Sequence, residues 1–157
     1  MEPKLKPLQQ WVCDVCGEVI EKPEDGYIQF HYDENNKCDD IIIVHHYTKS
    51  PLKGSNRQGC YKYTSDIDLL SYLGPIGIAS MLSKIDAGEY HDPDYSGPSV
   101  SNLRSWTEVF RRLHIPYYEE ARLYWDKALE DGYFNGANEI WPYLPDTLER
   151  LIREYGK

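Results

Sequence analysis

No stretch of the chain approaches the roughly 20 consecutive apolar residues that a membrane-spanning helix needs, so no membrane partner is expected. The first residues, MEPKLKPLQQ, carry lysines with no apolar run behind them, unlike a secretory leader. A cytoplasmic protein is therefore expected. Cytoplasmic thiols are kept reduced, which disfavours a disulfide framework. A Gly-rich phosphate loop, a G-x-S-x-G elbow and a nucleotide fingerprint are all missing, so the sequence carries none of the familiar phosphate-binding or serine-hydrolase signatures. Internal repeats and low-complexity tracts are absent too.

Surplus positive charge is also lacking. The formal net charge is −9 and the pI is near 5.0, which disfavours broad, salt-dependent binding to nucleic acid. Residues 1–65 carry 8 Lys/Arg against 10 Asp/Glu, while residues 66–157 carry 9 against 16. Yet no acidic residue occurs between Ile41 and Ser65, where Lys49, Lys53, Arg57 and Lys62 accompany two histidines. This is a basic island on an acidic protein, and a candidate contact for an anion or nucleic acid.

What is present suits a folded protein. The 157 residues are 41% hydrophobic and 27% charged, enough for one domain or a small domain joined to a larger one. Fourteen tyrosines and four tryptophans supply much of the apolar bulk, and their polar tips need partners or water. Residues 1–10 read as a frayed, proline-containing arm. GYIQFHY (26–32) and DIIIVHH (40–46) read as two strands of a hairpin, with the turn-forming DENNKCD between them.

After Cys60 the apolar period shifts toward 3.6. Ser65 and Asp68 stand at capping-box spacing and predict a helix start there, and Pro75 suits the first turn of a helix over about 76–87. Residues 88–98 read as a polar loop. Leu103, Trp106, Phe110 and Leu113 mark one stripe of the next helix, with Glu108 and Arg112 as an i, i+4 surface pair. Pro116 begins another helix with Tyr118, Ala121, Trp125 and Ala128 inward. Pro145 opens the last, lined by Leu144, Leu148, Leu151 and Tyr155.

WVCDVCGEVI (11–20) holds the main chemical signal. A C-x2-C turn aims two thiolates at one centre, and zinc needs four tetrahedral ligands. The remaining candidates are Cys38, Cys60 and the histidines. In the hairpin, Cys38 sits in the far turn, some 20 Å from the knuckle at about 3.3 Å per residue. His45 and His46 return beside the knuckle, and Cys60 follows the loop. The favoured set is Cys13, Cys16, His45 and Cys60. Neighbouring strand residues face opposite ways, so His46 is the alternative to His45, and Cys38 replaces the histidine if the hairpin reading fails. A redox pair usually opens a helix after a strand, which is not the setting here. Ordinary buried cysteines are the bland alternative.

On these residues, CDVCG followed by a hairpin and a second ligand pair, residues 11–73 resemble zinc-ribbon and treble-clef knuckles. The whole chain is similar to small bacterial or phage-type proteins, a likeness that implies no activity. HHYTKSPLKGSNRQGC (45–60) also looks somewhat like the His-His part of an HNH nuclease. That resemblance implies His45 or His46 as general base or ligand, Asn56 orienting it, and Lys53 and Arg57 on phosphate. The second C-x2-C-H element is missing, and a histidine committed to structural zinc is not free for catalysis. Weaker constellations are Glu89, His91, Asp92 and Asp94, which read as a solvated loop, and Tyr117 to Glu120, which read as a helix start. Arg104, Arg111 and Arg112 could bind an anion, but surface pairing with Glu108 is the plainer reading.

The reading is an α+β fold: a small N-terminal zinc-knuckle β-hairpin module over 11–65, followed by a four- to five-helix, mainly α region over 66–157 packed on it. One structural Zn2+ is expected. The expected function is a non-catalytic protein-interaction or regulatory module, with another protein as partner. Nucleic-acid binding through the 47–62 loop and an HNH-like metal-dependent nuclease are the alternatives.

Overall fold

A computed structural model describes residues 4–54, 57–89 and 97–157, without the side chains of 53, 54, 57 and 58. The chain is α+β, with short antiparallel strands first and helices after them. Strands β1 (Trp11–Val12) and β2 (Val19–Ile20) pair across the C-x2-C turn, with Trp11 opposite Ile20. β3 (Gly26–Tyr32) and β4 (Cys38–His45) form the expected hairpin, with Gly26 opposite His45, Ile28 opposite Ile43 and Phe30 opposite Ile41. Four successive residues of β4, Ile41 to Val44, are buried, so both faces of that strand are covered. Next come two short paired strands, β5 (Lys53–Gly54) and β6 (Arg57–Gln58).

The helix expected at Ser65 is instead a strand. β7 (Ser65–Asp68) pairs antiparallel with β3, setting Ile67 opposite Ile28 in a sheet ordered β4-β3-β7. Alternation in Ser-Asp-Ile-Asp matches the open edge of β3, and a filled edge outweighs a local capping pattern. A 3-10 turn, Leu69–Tyr72, leads into α1 (Gly74–Ile85), with Pro75 in its first turn. α2 (Leu103–His114) is capped by Asn102, whose side chain accepts from the Ser105 N–H. α3 (Tyr118–Ala121) and α4 (Trp125–Glu130) are joined by a 3-10 turn, and α5 (Pro145–Tyr155) closes the chain. Among the described residues no helix is long and apolar enough to cross a membrane.

Buried apolar side chains gather in two clusters. The larger joins Trp11, Ile20 and the hairpin isoleucines to Trp106, Val109 and Leu113 of α2. The smaller joins Tyr118, Ala121 and Ala128 to Leu148, Leu151 and Ile152. Leu103 and Leu144, expected on inner stripes, are exposed at the first turn of α2 and just before α5.

Between the clusters lies an ion-pair network that corrects the surface reading of Arg112. Arg112 is 3% exposed and its Nη1 donates to both Asp14 carboxylate oxygens, at 2.9 and 2.7 Å. Its Nε and Nη2 donate to Glu119 at 2.6 and 3.0 Å, and Nη2 also donates to the Val12 carbonyl at 2.9 Å. Five bonds satisfy the guanidinium, as a buried arginine requires. The neighbouring carboxylates hold it firmly protonated. Glu108 instead accepts from the Tyr118 hydroxyl at 2.6 Å. Glu119 and Glu120 are not a solvated helix start. Glu119 also accepts from the Val12 N–H at 2.8 Å, and Glu120 takes the backbone N–H groups of Lys4 and Leu5 at 3.0 and 2.7 Å. That pairing ties residues 4 and 5 to α3, where the sequence suggested a frayed arm.

Arg112→Ala would leave Asp14 and Glu119, beside an apolar core, with only the longer contacts of the more exposed Arg122, at 3.5 and 3.2 Å. The expected loss is about 3–5 kcal/mol of unfolding free energy, measured by urea denaturation. Arg112→Lys should recover little of it, because an ammonium cannot make the forked contacts. A change of a few tenths of a kcal/mol would refute the network's structural role.

Candidate metal centre

The turn after β1 shapes the first half of the centre. Gly17 adopts φ +77° directly after Cys16, a conformation that favours glycine. The Gly17 N–H bonds to the Cys13 carbonyl at 2.9 Å, and the Cys13 N–H bonds to the Glu18 carbonyl at 2.9 Å. This tight turn brings both thiols to the same side.

The second half arrives from β4 and the loop beyond it. His45 ends β4 opposite Gly26, a register that returns it to the knuckle. Cys60 follows Gly59, whose φ is +65° and whose missing side chain admits Ser50 and Tyr47, both within 3.2 Å of where a Cβ would stand. The Ser50 hydroxyl lies 2.9 Å from the Cys60 sulfur, close enough to donate to a thiolate. Gln29 anchors the chain just beyond, its side-chain oxygen accepting from the Lys62 and Tyr63 N–H groups at 2.9 and 3.1 Å.

Cys13, Cys16, His45 and Cys60 thus converge, with one ligand atom from each lying within 4.8 Å of every other. The His45 Nδ1 is 3.4 Å from the Cys16 sulfur and 3.8 Å from the Cys60 sulfur. A tetrahedral zinc centre with ordinary bond lengths has sulfur–nitrogen edges of about 3.5 Å, so the four residues fit one ion. The His45 Nε2 lies 3.1 Å from the Val19 carbonyl. A proton on Nε2 turns the Nδ1 lone pair toward the centre, the usual outer support of a ligating histidine. Cys13, His45 and Cys60 are buried, and Cys16 is half-buried.

Burial, aided by the neighbouring thiols, pushes the Cys16 thiol up to about 12. Burial raises Cys60 as well, opposed by the Ser50 hydroxyl. Three thiolates packed this closely repel one another, and a divalent cation among them reverses that balance.

The other candidates lie elsewhere. His46 turns outward, accepts from the Thr48 N–H at 3.2 Å and packs against the Tyr27 ring. Cys38 starts β4, hydrogen-bonds the Asp40 carbonyl at 3.2 Å and bridges to Val100. Burial pushes its thiol up to about 11. Lys49 is exposed, and Lys62 lies 5.0 Å from the centre of the Tyr63 ring. Lys53 and Arg57 contribute strands β5 and β6, but their side chains lie outside the described residues, as do Asn56, His91, Asp92 and Asp94. His31 pairs with Asp39.

Sequence reasoning missed Asp14, the residue between the two knuckle cysteines. Its N–H bonds to the Ile43 carbonyl at 2.8 Å, and its carboxylate accepts from the Ile43 N–H at 2.7 Å. Asp14 therefore fixes the knuckle to β4 and, through Arg112, to α2. A carboxylate inside a C-x2-C turn was the available signal.

Purified protein should hold one metal ion per chain by elemental analysis. Cys38→Ala and His46→Ala should keep it, while Cys13→Ala and Cys60→Ala should lose it and His45→Ala should weaken it markedly. The ion should be released on acidification, because thiolate and imidazole ligands must be deprotonated to bind. Metal retained in Cys60→Ala would overturn this ligand set.

Searches against protein-family models, curated proteins and solved structures find no match for the chain.

Proposed function

We propose that the ion is Zn2+ and that the protein is a zinc-stabilised, non-catalytic module that engages another protein. The observation that carries this reading is the closure of the centre. Three thiols and one imidazole supply a complete tetrahedral set, whereas a catalytic zinc keeps a position open for water or substrate. Three thiolates and an imidazole also suit zinc far better than magnesium or calcium, which take oxygen ligands. In this reading the ion's contribution is folding free energy. It clamps β1, β2, β4 and the loop before Cys60 into one unit, which two-residue strand pairs could not hold alone.

Exposed apolar side chains on and before α1 support an interaction role. Ile76 is 79% exposed and Leu82 is 51% exposed, with Leu70 beside them in sequence on the preceding turn. Apolar side chains grouped on one outer helix, rather than scattered singly, mark contact surfaces.

The test is a chelator melt under reducing conditions. Removing the ion should lower the melting temperature by well over 10 °C, on the order of several kcal/mol, and zinc should restore it. The folded protein should neither nick plasmid DNA with magnesium or manganese nor be retained on DNA or RNA at physiological salt. Metal-dependent nicking abolished in both His45→Ala and His46→Ala would replace this reading with the HNH-like nuclease. Retention that falls steeply with salt and requires Lys49 and Lys62 would replace it with nucleic-acid binding.

A further inference from the structure

We propose that a cleft between the first half of α2 and the α3–α4 segment binds a small organic phosphate carrying an aromatic ring, of nucleoside-monophosphate size. This site is separate from the metal centre and goes beyond the interaction role. The cleft has a volume of about 540 Å3, inside the range of roughly 300–1,000 Å3 usual for small-molecule sites.

Its charge runs against that of the whole protein. Three of the chain's seven arginines, Arg104, Arg111 and Arg122, line it against a single carboxylate, Glu108. The helical half as a whole is strongly acidic, with 16 Asp/Glu against 9 Lys/Arg over residues 66–157. Glu108 is already engaged by the Tyr118 hydroxyl at 2.6 Å. Arg104 and Arg111 form no ion pair among the described residues, and both lie on α2. Arg111 is held in place by the Tyr143 ring, 4.1 Å below its guanidinium, a cation–π contact that leaves its in-plane donors free.

Arg122 is partly balanced by Glu119 at 3.2 Å and Asp14 at 3.5 Å, while Arg104 and Arg111 have no carboxylate partner among the described residues. Two unpaired planar forks beside a third match the several oxygens of a dianionic phosphate better than a single carboxylate. Asn102 and Ser105 place the first turn of α2 on the same cleft, where the helix's positive end adds to the potential. Beside the arginines the lining is aromatic: Trp125 and Tyr143 lie nearly parallel, with ring centres 5.6 Å apart and planes inclined by 17°. Cations set next to aromatic side chains in one cleft fit a ligand that carries both a phosphate and a ring. A concave cleft of this volume favours a whole small molecule over an extended chain.

Isothermal titration of the full chain with adenosine 5′-monophosphate, adenosine and inorganic phosphate tests the proposal. The monophosphate should bind saturably, and adenosine and phosphate should each bind at least about tenfold more weakly. Arg104→Ala and Arg111→Gln should each weaken binding about tenfold or more, with metal content and circular dichroism unchanged. Lys127→Ala, on the outer face of α4, should change nothing. No heat at millimolar monophosphate, equal affinity for inorganic phosphate, undiminished binding by the double variant, or preference for a phosphotyrosine peptide would each overturn it. Metal content is read separately, so failure here leaves the zinc centre standing.

Discussion

Arg112 is the constraint on which the rest of the arrangement depends. One guanidinium near the end of α2 reaches a carboxylate within the cysteine knuckle, a carboxylate on α3 and the carbonyl of β1. Placing a charge inside the fold is costly unless it is well matched, and here each of the three guanidinium nitrogens has a partner. The matching is also specific. If the knuckle shifted by a residue relative to α2, Asp14 would lose the bidentate contact and Arg112 would be stranded. The ion pair therefore selects one docking of helices on the β-module, whatever its net worth in stability. Apolar contacts between the same elements supply the bulk of the attraction but tolerate sliding.

The convergence of Cys13, Cys16, His45 and Cys60 was legible because few residue types can hold zinc and strand geometry prunes them. Cys38 fell to the far end of the hairpin by length, and parity allowed only one of His45 and His46 to face the knuckle without settling which. Both arguments depend only on the hairpin, whose strands are dense in β-branched and aromatic residues. The edge strand β7 was not legible, because Ser65 and Asp68 offer a plausible helix cap locally and the reason for a strand is the unfilled side of β3. Arg112 was illegible for the same kind of reason. Glu108 stands one helical turn away and satisfies the local rule, while the actual partner, Asp14, is 98 residues distant. Local patterns reveal where a side chain is able to pair, and burial decides where it does.

Arg122 connects the two regions of chemical interest. It lines the arginine cleft, and its Nε donates to Glu119 at 3.2 Å while an Nη lies 3.5 Å from Asp14. Both carboxylates already serve Arg112 at shorter distances. An anion in the cleft would compete with them for Arg122, and the weaker of its contacts would yield first. Asp14 would still keep both bonds to Arg112 and its backbone pairing with Ile43. The cleft can thus take up charge without loosening the knuckle, because Arg112 keeps both carboxylates at the shorter distances. Had Arg122 been the principal partner of Asp14, ligand and metal would have been strongly linked. With Arg112 as the principal partner, any ligand-dependent movement should stay on the far side of it from the cysteine knuckle.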